Sequence, residues 1–167
     1  NKSRGPEKFS EISVKSGARA STGLSEFDRI LGGGVVEGSV VLVGGPPGVG
    51  KSTLLLQVAS HLSQKCRVLY VSGEESAEQI GLRARRLALE PRGLYISNET
   101  ALDSIVDQVS KTEASFLIVD SIQTIYKPSL DTSPGSINQV RECGAELLRL
   151  AKSKNVDLAI KVCTKLD

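Results

Sequence analysis

The chain has 167 residues, of which 40% are hydrophobic, 24% charged and 4% aromatic, the balance of one soluble globular domain and not of a disordered, collagenous or disulfide-stapled chain. Lysine and arginine number 21 against 19 aspartates and glutamates, a formal charge of +2, too even to argue by itself for a nucleic acid or an anionic membrane. The three cysteines, Cys66, Cys143 and Cys163, form no C-x-x-C pair, which excludes a zinc ribbon or a disulfide framework and fits a reducing compartment.

Residues 1–16 carry Lys, Arg, Ser, Gly and Pro6 without periodicity and read as a flexible tail ahead of a core over 17–167. They hold no apolar h-region, and no run in the chain approaches the roughly 18 apolar residues of a membrane helix. Methionine is absent, position 1 included, which predicts a fragment, a processed chain or a trimmed one. Ser25-Glu-Phe-Asp28 predicts a capping box opening a short helix, stopped at Gly32-Gly33-Gly34. Four apolar units, 40–43, 68–71, 94–96 and 116–119, are too short for helices and rich in Val, Ile or Leu. They predict buried parallel strands.

Between the strands, helices are predicted over 53–62, over 76–88 from the box Ser76-Ala-Glu-Gln79, and over 102–109 from the box Thr100-Ala-Leu-Asp103. A last helix opens at the box Ser136-Ile-Asn-Gln139, with Ile137, Val140, Gly144, Leu147, Leu148 and Ala151 on one face. A fifth strand follows over 158–162. Alternating strands and crossover helices imply an α/β fold, a mainly parallel sheet flanked by helices on both faces.

The stretch Gly45-Pro46-Pro47-Gly48-Val49-Gly50-Lys51-Ser52-Thr53 satisfies G-x-x-x-x-G-K-[ST] between a strand and an apolar helix, the context that pattern requires. Glycines let successive N–H groups point inward at phosphate oxygens, and the helix start adds partial positive charge. Lys51 then neutralises the β and γ phosphates of ATP, and the Ser52 hydroxyl can ligate Mg²⁺. A chance glycine-rich turn is the competing explanation, and the flanking strand and helix argue against it.

Such a loop needs an acid near the metal, and Phe116-Leu-Ile-Val-Asp120 closes an apolar strand with one. Asp120 is the candidate metal ligand, against the plainer possibility of a strand-ending turn aspartate. After 68–71, Glu74 and Glu75 sit at the carboxyl edge of the sheet, where α/β proteins bind ligands. Either could hold the attacking water, Glu74 ahead of Glu75; the alternative is an acid pair complementing the dipole of the helix at Ser76. His61 reads as a packed or solvated residue, and Arg83, Arg85 and Arg86 as a solvated helix face. The segment 127–135 reads as a mobile loop placed to sense nucleotide.

Ser21-Thr-Gly-Leu-Ser-Glu-Phe-Asp-Arg-Ile-Leu-Gly-Gly-Gly34, the phosphate loop with Ser52-Thr-Leu-Leu-Leu-Gln57, Leu69-Tyr-Val-Ser-Gly-Glu-Glu-Ser76, Val119-Asp-Ser-Ile-Gln-Thr124 and Ser133-Pro-Gly-Ser-Ile-Asn-Gln-Val-Arg-Glu-Cys143 closely resemble the ATPase core of bacterial-type RadA (Sms) DNA repair proteins. The resemblance implies a RecA-type P-loop NTPase core, related to the KaiC and DnaB cores, and a DNA-dependent ATPase that aids branch migration in recombinational repair. It implies ATP and Mg²⁺ as cofactors, single-stranded or branched DNA and a RecA-type recombinase as partners, a homo-hexameric parent, no membrane, and a bacterial cytoplasm or a plant organelle. Lys51, Ser52 and Thr53 match the family's Walker A, Asp120 its Walker B, and Glu74 its catalytic glutamate; Gln123 falls in a family motif without an assigned role.

The family's four-cysteine zinc finger, Lys-Asn-Arg-Phe-Gly motif and Lon-like domain are not in this chain. Where the family continues into Gly-His-Val-Thr, the chain reads Lys161-Val-Cys-Thr-Lys-Leu-Asp167. Lys161 is an unlikely occupant of a central strand, since a desolvated ammonium is costly without a partner, and the end is expected to be foreign or altered. Without the basic motif, weak or absent turnover is expected of this chain, with hydrolysis left to the full-length parent. The alternatives are a KaiC-like regulatory ATPase or kinase, or a non-hydrolysing nucleotide-dependent interaction module.

Overall fold

Five of the apolar runs pair side by side in a computed structural model of the chain, which describes Lys8 and residues 19–164. The tail expected over 1–16 lies outside the described residues, Lys8 apart. Among the described residues the elements are, in chain order, β1 (Arg19–Ala20), α1 (Ser25–Ile30), β2 (Val35–Val36), β3 (Val40–Gly45), α2 (Lys51–Leu62), β4 (Val68–Ser72), α3 (Ala77–Arg86), β5 (Leu94–Ser97), α4 (Leu102–Thr112), β6 (Phe116–Asp120), a 3-10 turn (Ile122–Thr124), α5 (Ile137–Lys154) and β7 (Asp157–Cys163). Every strand and helix expected from the sequence is present.

The five long strands form one parallel sheet in the order β3-β7-β6-β4-β5, and β1 pairs antiparallel with β2. β4 and β6, in the interior, are buried along their whole length. β3 and β5 are the edges and are only half-buried, so the expectation of fully buried strands fails for them. Strand alternation sends side chains to opposite faces. One face packs Leu55, Leu56 and Leu62 of α2 and Ile80 of α3 on Val68, Tyr70 and Ile118. The other packs Ile105 of α4 and Leu147 of α5 on Leu69, Leu117 and Leu158. The two-faced arrangement expected from strand–helix alternation is therefore found.

The box at Ser76 is complete: Gln79 N–H donates to Ser76 Oγ at 3.2 Å and Ser76 N–H to Gln79 Oε1 at 2.9 Å. The other three boxes are corrected. α1 is capped by Leu24 with no side-chain bond, because Asp28 turns back to accept from Ser21 Oγ, Thr22 Oγ1 and Thr22 N–H at 2.6, 2.6 and 2.8 Å. At α4 the cap is Ala101, since the Glu99 carboxylate reaches the Thr100 and Ala101 N–H groups first, at 2.9 and 3.1 Å.

At α5 only half a box forms, Gln139 N–H to Ser136 Oγ at 3.3 Å. The fully buried Gln139 side chain accepts from Lys127 N–H at 2.8 Å and donates to Thr132 O at 2.9 Å. The segment expected to be a mobile loop is thus tied to the helix. This inward glutamine also rotates the predicted face: Gln139, Cys143, Leu147, Leu150 and Ala151 are buried, while Ile137 is exposed. Val140, Gly144 and Leu148 instead border an apolar groove with Leu42 and Val162.

Candidate nucleotide site

β3 delivers the chain to the loop at Gly45, and α2 resumes at Lys51 with Gly50 as its cap. Gly48 and Gly50 hold φ of +83° and +92°, left-handed backbone that glycine alone adopts without penalty. Leu54 N–H is the first to bond within the helix, to Gly50 O at 2.9 Å, so the N–H groups of Lys51, Ser52 and Thr53 have no acceptor from the helix. Pro46 and Pro47 lack an N–H and contribute shape alone. Lys51, nearly buried, folds over the loop and donates to Gly45 O and Pro46 O at 2.6 and 2.5 Å.

A cavity of about 330 Å³ opens over this helix start, bordered by the loop and by Glu74, Arg83, Lys161 and Cys163. The sequence-predicted loop residues and Glu74 therefore converge. His61 lines a separate cleft of about 410 Å³ with Thr22, Gln57 and Gln64, to which no loop residue contributes.

Alternation places Tyr70 and Ser72 of β4, Asp120 of β6 and Lys161 of β7 on the face that carries α2. Ser72 and Asp120 are register partners. Asp120 is buried and accepts from Tyr70 Oη at 2.7 Å through Oδ2. Its Oδ1 lies 2.5 Å from Lys161 Nζ, a charge contact without the alignment of a hydrogen bond. Burial, the Asp120 charge and the bond to it push the Tyr70 phenol far above its ordinary range, so it stays a donor.

Glu74 and Glu75 diverge. Glu74 accepts from Ser121 Oγ at 2.7 Å and from Lys161 Nζ at 2.7 Å. Glu75 points elsewhere: its carboxylate pairs with Arg83, and its N–H donates to Ser72 Oγ at 3.1 Å. Arg83 was read as part of a solvated basic face, and the structure moves it to the cavity wall, leaving Arg85 and Arg86 exposed. Asn98 Nδ2 fixes this turn through Ser72 O and Glu75 O at 2.9 and 2.5 Å. A Cβ on Gly73 would fall on the Thr124 side chain and come within 2.9 Å of Thr100 Cγ2.

Lys161, an unlikely occupant of a central strand without a partner, does sit in one and has partners there. It lies in β7 between β3 and β6, 5% exposed, and its Nζ reaches Ser52 Oγ at 3.0 Å besides Glu74 and Asp120. Burial works against its charge, but the close Asp120 and Glu74 carboxylates outweigh it, and its pKa stands above the ordinary lysine value. Gln123 ties the end of the same strand, donating to Cys163 O at 2.8 Å.

The cradle fits a chain of phosphates: three unpaired helix-start N–H groups and Lys51 face one cavity. Fit to a divalent cation is different. Ser52, Asp120 and Glu74 are oxygen donors of the hard type that Mg²⁺ takes, yet the Lys161 ammonium already lies within 3.0 Å of an oxygen of each. A second, doubly charged cation about 4 Å from it would face a repulsion of about 8 kcal/mol at an effective dielectric of 20. Among the described residues, no group of three or more His, Cys, Asp or Glu is placed to hold a metal ion.

Tyr70, Arg83, Ser121 and Lys161 are the site residues that sequence reasoning missed. Ser121 and Tyr70 carried no signal beyond adjacency to a motif. Lys161 did carry one, a charge inside an apolar run, but its partners Ser52 and Glu74 lie 109 and 87 positions away.

A family model described as "AAA domain" matches residues 6–160. The chain is 48% identical over 156 residues to the DNA repair protein RadA of Bacillus subtilis (strain 168), covering 93% of this chain and 34% of that protein. To the DNA repair protein RadA of Streptococcus pneumoniae it is 52% identical over 155 residues, covering 93% and 37%. The chain thus spans about a third of the length of these relatives, and the RadA likeness read from its motifs is borne out. Among solved structures, the KaiC-like protein PH0186 from Pyrococcus horikoshii OT3 superposes with a TM-score of 0.73 at 21% identity, covering 90% of this chain and 74% of that one. That likeness is one of fold, and it agrees with a RecA-type α/β core.

Proposed function

The chain belongs to the AAA domain family, and on that premise we propose that it is the ATP-binding core of a DNA-dependent ATPase acting in recombinational DNA repair. The observation that carries this reading is the glycine loop and start of α2 facing Glu74 across one cavity. The RadA names of the similar proteins supply the repair context. In the full-length protein the partners are single-stranded or branched DNA and a RecA-type recombinase, with a homo-hexameric ring. The bacterial relatives favour the bacterial cytoplasm over a plant organelle; among the described residues no helix is long and apolar enough to cross a membrane.

On nucleotide entry, Lys51 exchanges the Gly45 and Pro46 carbonyls for phosphate oxygens, and the unpaired N–H groups of Lys51, Ser52 and Thr53 close around the same charge. Mg²⁺, if bound, would neutralise phosphate charge, and Ser52 and Asp120 are the residues that would hold it once freed from Lys161. Glu74 is the residue positioned to orient a water, and Asp120 holds the floor of the site through Tyr70 and Lys161. Both Glu74 oxygens are engaged, by Ser121 and Lys161, so hydrolysis requires that DNA or a neighbouring subunit free one of them, and in this chain by itself it is slow or absent. That engagement also favours the second reading, a nucleotide-dependent interaction module that binds without turning over.

The test measures ATP affinity and turnover in one sample of the chain, and turnover of the full-length protein with and without single-stranded DNA. Binding with little turnover here, and DNA-stimulated hydrolysis there, is expected. DNA-independent turnover of the full-length protein would contradict the repair-ATPase reading and support a KaiC-like regulatory one.

A further inference from the structure

We infer that Lys161 is a built-in cation that stands where a divalent metal would stand, so that this chain binds a nucleoside triphosphate without needing the metal. The inference rests on the nucleotide reading above and goes beyond it. Its basis is one atom: Lys161 Nζ donates to Ser52 Oγ at 3.0 Å and Glu74 Oε2 at 2.7 Å and lies 2.5 Å from Asp120 Oδ1. These are the hydroxyl of the loop and the two acids that the sequence offered for metal and water. One ammonium supplies three donors, and here one cation gathers all three oxygens.

The placement is enforced by the backbone. Lys161 is register partner to Val43, and β7 is hydrogen-bonded to β3 on one side and β6 on the other. Gln123 and the bond from Thr164 N–H to Gly45 O at 3.1 Å hold the strand's end. The ammonium borders the same cavity as Lys51. A phosphate entering there takes the place of the Ser52 hydroxyl, the longest of the three contacts, and meets two lysine charges. The two carboxylates that would otherwise repel it are already balanced in part by Lys161.

The test is calorimetric titration of the folded chain with ATP, once in excess EDTA and once in excess Mg²⁺, repeated with Lys161→Met, which keeps the stem and removes the charge. Wild-type affinities in the two conditions are expected to agree within about fivefold. In the variant, affinity is expected to become more than about fivefold weaker in EDTA than in Mg²⁺. A wild-type preference for Mg²⁺ beyond about fivefold overturns the inference while leaving nucleotide binding intact, and this comparison stands if Lys161→Met does not fold. A folded variant that binds equally with and without metal also overturns it. Absence of heat in both conditions, from wild-type protein with a cooperative melt, overturns the nucleotide reading itself.

Discussion

Lys161 Nζ and Asp120 Oδ1 meet at 2.5 Å across neighbouring strands, with the lysine side chain 6% and the aspartate side chain 1% exposed. The pair converts two positions that would each be unfavourable alone into one neutral unit beneath the phosphate loop. Removing the aspartate leaves the buried ammonium with Glu74 as its one remaining counter-charge among the described residues. Asp120→Asn is expected to destabilise the chain by about 3 kcal/mol in urea unfolding, the cost of leaving a buried charge short of its partner. A loss below about 0.5 kcal/mol, the range of an inert surface change, would contradict the pairing.

The divergence of the two glutamates separates their roles. Glu74→Gln is expected to lower DNA-stimulated turnover of the full-length protein on the order of 10²-fold or more, with ATP affinity retained. Glu75→Gln breaks only the pairing with Arg83 and should leave turnover within a few fold. Steady-state kinetics on both variants check this, and equal losses would contradict the assignment.

Gly73 gives the turn before Glu74 no room for a side chain, since Thr124 and Thr100 close over it. Gly73→Ala should cost about 1–3 kcal/mol, as overpacking does. Adding Thr124→Gly, which removes both the Oγ1 and the Cβ that the new methyl would meet, should restore part of that loss in thermal melts. Failure of the second change to recover any stability would show that the contact is not the cause.

Asp28 anchors the chain ahead of β2. Burial acts to raise its carboxyl pKa, but the hydrogen bonds from Ser21 and Thr22 outweigh it and hold the pKa below the ordinary aspartate range. A lowered folded pKa means stability that is fully present above the unfolded value of about 3.9 and lost as pH falls through the folded one. Wild type should therefore exceed Asp28→Asn in stability at neutral pH, and the gap should close on acidification in parallel urea titrations. A gap that stays constant would contradict the hydrogen-bond account.

The strands and helices were legible because each carried a local signal: a short Val- or Leu-rich run, or a helical stripe after a turn. The phosphate loop was legible for the same reason, as nine consecutive residues hold all its chemistry. Capping was legible only in part, because Ser25, Thr100 and Ser136 had competitors. Asp28 found Ser21 and Thr22, Glu99 reached the α4 start first, and Gln139 found the backbone at Lys127 and Thr132. The face of α5 was legible in part: Leu147 and Ala151 are buried and Val140 packs against the core as expected, but the inward Gln139 leaves Ile137 and Leu148 exposed. The polar floor of the site was illegible: Tyr70, Asp120 and Lys161 come from three strands, and their meeting depends on strand order, which no local pattern encodes.

The central claim is that the backbone between Gly45 and Thr53, with Lys51, grips a triphosphate. Titration of ATP into wild-type chain and into Lys51→Ala, both verified as folded, tests it most directly. Saturable binding by the wild type and a loss on the order of 100-fold or more in the variant, about 2.7 kcal/mol, is the expected result. Equal affinity in the two proteins, or no binding by either, would contradict it.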